Sequence, residues 1–106
     1  MRFHILEEKQ MRDIGFTDHV KSKWYFVKTI QPNITFNLTI NKNSLKGEID
    51  VLDERYLQPY DYQYYMNVYT RKKLEFPHVT HEKVQELMAS FIEKGIITEY
   101  TMGSYI

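Results

Sequence analysis

Between Ile34 and Ile40 the chain reads ITFNLTI, and apolar and polar side chains alternate without a break. A period of two means a strand, with Ile34, Phe36, Leu38 and Ile40 on a buried face and Thr35, Asn37 and Thr39 on a wet one. One buried face also sets the register, because a slip of one residue would send the apolar set to solvent. NKNS follows with turn composition, and LKGEIDVLD then places Leu45, Ile49 and Val51 on one face. The two runs predict a β-hairpin. Upstream, WYFVKTI (24–30) is aromatic and β-branched, as strands prefer, and QPN ends it because proline cannot donate to a ladder. RFHILEE (2–8) alternates loosely, with Phe3 and Ile5 on one side and His4 and Leu6 on the other. KQMRDIGFTDHVKS (9–22) loses the alternation and contains Gly15, so it reads as a loop with at most one helical turn. YQYYMNVYT (62–70) reads as a further strand, with Tyr64, Met66 and Val68 on one side and Tyr65, Asn67 and Tyr69 on the other.

The period then changes. Val84, Leu87, Met88, Phe91 and Ile92 fall at i, i+3, i+4, i+7 and i+8, a single helical stripe. Thr80 is placed to cap this helix, with Glu82 in its first turn, and Lys94-Gly95 is a stop signal. Burying the stripe would contribute on the order of 10 kcal/mol as an upper bound, at ~1.5–3 kcal/mol per residue. IITEYTM (96–102) predicts a last strand. Strands first, then one helix, then a strand, without βαβ alternation, argues an α+β fold. The expectation is a mainly antiparallel sheet of about five strands with one C-terminal amphipathic helix packed on one face. At 106 residues the chain is expected to be a single domain spanning 1–106.

Composition narrows the chemistry. The chain has no cysteine, which removes disulfides, thiolate metal sites and a cysteine nucleophile together. Formal net charge is zero, which counts against whole-surface binding to nucleic acid or anionic lipid. No apolar run approaches the roughly 20 residues that span a bilayer, and the opening MRFHILEEKQ is too short and too charged for a signal-peptide core. The expected location is cytoplasmic, with no membrane partner. Asn33-Ile34-Thr35 and Asn37-Leu38-Thr39 match glycosylation acceptors, and without a secretory signal they read as coincidence. Abundant Lys, Ile, Asn and Tyr point to an AT-rich microbial or phage genome.

Six tyrosines fall between Tyr56 and Tyr69, and they pose the main functional question. The bland answer is sheet covering, since a tyrosine ring packs on neighbours while its hydroxyl reaches water. The functional answer is a recognition surface, because tyrosine is enriched at interfaces for the same reason. For a protein partner the candidate contacts are Tyr56, Tyr60, Tyr62, Tyr65 and Tyr69. The alternative is a nucleic-acid-binding accessory role, in which Tyr65 and Tyr69 stack on bases while Arg71, Lys72 and Lys73 meet phosphates. A third reading places a small metal-dependent enzyme at the acidic residues Asp50, Asp53, Glu54 and Asp61. HEKVQ, from His81, fails the zinc-protease pattern where Gln85 replaces the second histidine, and His78, His81 and Glu82 read as an ordinary polar helix entry. No phosphate loop, dinucleotide fingerprint or nucleophile elbow occurs, so no catalytic residue, cofactor or metal site is assigned. The leading expectation is a small non-catalytic protein-binding module. The terminal IITEYTMGSYI, nearly uncharged and free of proline, also suits pairing into a homodimer if it lies at a sheet edge.

Overall fold

The computed structural model describes residues 1–68 and 75–102. Its elements run β1 (Arg2–Phe3), α1 (Glu8–Ile14), β2 (Lys23–Gln31), β3 (Ile34–Asn41), β4 (Gly47–Asp53), β5 (Gln58–Pro59), α2 (Tyr62–Val68), α3 (Glu75–Glu93) and β6 (Ile97–Thr98). The expected α+β class holds. Strands β2-β3-β4-β5 form an antiparallel sheet in that order, and α3 lies across one face of it. The last strand does not extend this sheet. β6 pairs with β1 in a separate two-stranded ribbon, Arg2 opposite Thr98 and Phe3 opposite Ile97.

The alternation in β3 decides which face is interior. Ile34, Phe36, Leu38 and Ile40 are all fully buried, and Asn37 and Thr39 lie on the opposite face. Trp24 pairs with Ile40 and Phe26 with Leu38, so β2 adds its own rings to the interior. From α3, Phe91 fits among Phe16, Phe26 and Phe36, with ring centroids 5.9, 5.1 and 6.1 Å away. Val84 and Met88 are buried with it, whereas Leu87 and Ile92 are only partly covered. The stripe is real but narrower than its periodicity implies. Gly95 (φ 80°) closes the helix as predicted, its N–H donating to Ile92 O and that of Ile96 to Phe91 O.

Four sequence expectations are corrected. Residues 8–14 form helix α1 rather than a loop. The Glu7 N–H donates to Gln10 Oε1 at 3.2 Å, Glu8 pairs with Arg12 one turn on, and Gly15 ends the helix in a left-handed conformation. Its buried anchor is Met11. Second, 62–68 is helix α2 rather than a strand. Asp61 accepts the Tyr64 N–H at 3.2 Å, and Tyr62 and Met66, four apart, are the buried pair. A helix-starting carboxylate and tertiary packing override the strand preference of tyrosine. Third, α3 begins at Glu75, so Thr80 is inside it. Thr80 is fully buried and lies within hydrogen-bonding reach of Gln31 Oε1 and Phe76 O. Pro77 is tolerated because first-turn amides lack helical partners anyway. Fourth, Leu45 is an exposed turn residue at φ 58°, not a member of the inner face of β4.

Candidate functional site

Four short segments meet at one end of the sheet: the turn after β4, strand β5 and the first turns of α2 and α3. Each is positioned by an identifiable contact. Asp53, at the end of β4, accepts from Arg55 three times: from its backbone N–H and Nε through Oδ1 (3.0 and 3.1 Å) and from Nη2 through Oδ2 (3.0 Å). The Arg55 hydrogen bond holds the Asp53 carboxyl below its ordinary range. This clamp folds the turn and sets the guanidinium 5.4 Å above the ring of Tyr56. Tyr60 is tied to the sheet through its N–H, which donates to Val51 O at 2.8 Å. Gln31, at the end of β2, donates from Nε2 to Phe76 O at 3.1 Å, anchoring the start of α3.

Between these segments lies a groove of about 540 Å³. That is the size of a site for a few side chains rather than a flat protein interface. Its walls include Tyr56, Pro59, Tyr60, Tyr65, Phe76 and Pro77, and its charged groups among the described residues are Asp53, Arg55, Asp61 and Glu75. Tyr60 stacks on Tyr65 with centroids 5.9 Å apart and planes 29° apart, and Phe76 stands 6.0 Å from Tyr60 on another side. Burial raises the Tyr60 phenol above its ordinary value, against an opposing hydrogen bond with Thr80, so the groove meets a ligand with a neutral hydroxyl. Next to Tyr56, Leu57 is 83% exposed and holds φ at 51°. A leucine in left-handed backbone with its side chain in solvent is unfavourable twice over.

Of the five tyrosines chosen for a protein partner, the structure brings Tyr56, Tyr60 and Tyr65 to this groove. Tyr62 does not belong there. It is 2% exposed and packs inward, its ring 6.2 Å from that of His81. Tyr69 lies outside the described residues, as do Arg71, Lys72 and Lys73 of the nucleic-acid reading. The sequence reading missed Phe76 and Leu57. Phe76 sits just outside the helical stripe, and the Phe-Pro pair at a helix entry was its only available signal. Nothing in the sequence marks Leu57, because what sets it apart is a backbone angle.

The acidic residues are dispersed into separate structural tasks. Asp50 sits opposite Asn37 on the outer sheet face, Asp53 holds Arg55, Glu54 accepts from Thr35 Oγ1 at 2.6 Å, and Asp61 starts α2. Among the described residues no group of three or more His, Asp or Glu side chains is placed to hold a metal ion. None of the helices among them is long and apolar enough to cross a membrane. Comparison of the chain with protein-family models, with curated proteins and with solved structures found no match.

Proposed function

We propose that this domain is a small, non-catalytic protein-binding module of the cytoplasm, and that the aromatic groove beside β5 receives a short segment of its partner. The observation that carries this reading is the groove itself: exposed Tyr56, Tyr65 and Phe76 share its walls with Tyr60, and the strained, solvent-facing Leu57 follows Tyr56 in the chain. Rings of this kind give large contact area at low entropic cost and keep a hydroxyl for a hydrogen bond. Backbone strain kept at an exposed position is a frequent mark of a ligand surface. Among the described residues the groove's charged groups are mostly acidic, which supports a protein segment over a phosphate backbone as its occupant.

Selection of a random-peptide display library against the full chain tests the proposal. The expected outcome is a set of peptides that compete with one another and bind the double variant Tyr56→Ser, Tyr65→Ser roughly tenfold or more weakly, as removal of interface anchors does. Circular dichroism of that variant should be unchanged. Selected peptides that bind the variant as tightly as the parent, or a selection that enriches none, would overturn the reading.

A further inference from the structure

The charges and rings of the groove say what kind of segment it takes. Arg55 and Asp53 neutralise each other through paired hydrogen bonds. That leaves Asp61 and Glu75 among the groove's charged groups, both exposed and neither in an ion pair with another described residue. Asp61 uses one oxygen to start α2 and keeps the other. The ring faces of Tyr60 and Tyr65 add their own negative potential to that of the two carboxylates.

The chain contains a filled example of this combination elsewhere. At Trp24, Lys42 Nζ lies 4.5 Å and the Arg12 guanidinium 5.2 Å from the ring centre. Both cations are bonded to the one carboxylate of Asp18, at 2.9 and 2.6 Å. Ring, carboxylate and cation all come from within. At the groove the rings and two carboxylates are in place, and among the described residues that line it the one cation, Arg55, is engaged with Asp53.

We propose that the occupant is an extended segment of a partner protein carrying an arginine or lysine, whose stem lies on the Tyr60–Tyr65 wall and whose head group meets Asp61 and Glu75. This rests on the protein-binding reading above and narrows it to a basic segment. Arginine suits the site better than lysine, because a planar, weakly hydrated guanidinium stacks on a ring while donating to carboxylates at its edge.

Capped peptide mixtures provide the test. A central position is fixed as Arg, Gln or Glu, the other positions are randomised, and each mixture is titrated against the full chain. The ring resonances of Tyr60, Tyr65 and Phe76 report binding. The Arg mixture should bind roughly two- to fivefold more tightly than the Gln mixture. That advantage should shrink in added salt and in Asp61→Asn and Glu75→Gln; Asn keeps the acceptor that starts α2, so the fold is retained. Equal binding of the Arg and Gln mixtures overturns the cationic segment while leaving the groove as a binding site. Tighter binding of the Glu mixture, or displacement of the Arg mixture by a single-stranded oligonucleotide, overturns it in favour of an anionic occupant. No movement of the groove resonances with any mixture overturns both readings, and an Arg advantage that survives undiminished in both carboxylate variants overturns the assignment to Asp61 and Glu75.

Discussion

The phenylalanine interior and the tyrosine groove use the same ring spacing to different ends. Around Phe91 the centroids lie 5.1 to 6.1 Å apart, and around Tyr60 they lie 5.9 to 6.3 Å apart. Distance therefore does not separate core from site. What differs is the space on the far side of each ring. Phe16, Phe36 and Phe91 have protein on every side, so their transfer free energy is realised when the chain folds. Tyr65 and Phe76 keep about two-fifths of their surface, at 40% and 41%, and the transfer free energy of that area is not realised on folding. A cluster of aromatic rings is thus stabilising in one place and, on the function proposed above, receptive in the other.

The largest expected effect contrasts these two regions directly. Phe91→Ala should lower the unfolding free energy by about 3–5 kcal/mol, through lost transfer energy and the cavity left behind. Tyr65→Ala should change it by about 0.5 kcal/mol or less, as exposed positions do. Urea titration of the two variants makes the comparison, and equal destabilisation would show that the groove wall is core after all. Next in size is Gly47→Ala. A Cβ built there would lie 2.7 Å from the ring of Phe3, which packs across the start of β4. Overpacking of this kind costs about 1–3 kcal/mol, and the same titration measures it. A neutral result would mean that the β1–β6 ribbon is held to the sheet only loosely.

How far the sequence revealed the molecule follows the same division. The interior was legible, because Ile34, Phe36, Leu38 and Ile40 obey period two and Val84, Met88 and Phe91 obey the helical period. Burial on one face imposes those periods, so they can be read backwards. The groove was legible only in part. Tyr56, Tyr60 and Tyr65 could be named from their density, but no period distinguishes them from Tyr62, which the start of α2 at Asp61 turns inward. α1 was missed because its support comes from Glu7–Gln10 and Glu8–Arg12 contacts and one buried Met11 rather than from an apolar stripe.

A smaller effect tests whether the filled ring–carboxylate–cation site is structural. Hydrogen bonds from Lys42 and Arg12 lower the Asp18 carboxyl from 3.8 to about 2. A carboxyl depressed in the folded state stabilises it fully above the unfolded value and loses that contribution as pH falls toward the folded one. Asp18→Asn should therefore unfold at a lower temperature than the parent at neutral pH, and the gap should close as pH drops from about 4 toward about 2. Thermal melts across that range check the sign. A gap that stays constant with pH would assign the effect to packing of the loop rather than to the charge.

The last stability change, a small one, is the most informative about the groove, because it should be a gain. Leu57 holds left-handed backbone at φ 51°, which opposes a leucine side chain by about 1–2 kcal/mol. Glycine accepts that conformation freely but loses about 0.5–1 kcal/mol more chain entropy on folding. Leu57→Gly should therefore raise the unfolding free energy by about 0.5–1 kcal/mol net, since the exposed side chain contributes nothing to the interior. If the strain persists because a partner uses the apolar surface, the same variant should bind groove-selected peptides more weakly than the parent. Stability and affinity would then move in opposite directions at one residue, the pattern expected where a site keeps a conformation that folding alone disfavours. Urea titration and peptide titration on one preparation give both numbers. Greater stability with unchanged affinity would place Leu57 outside the binding surface and restrict that surface to the ring walls and the two carboxylates. Lower stability would mean that the turn depends on the leucine itself, and the argument from strain would be lost.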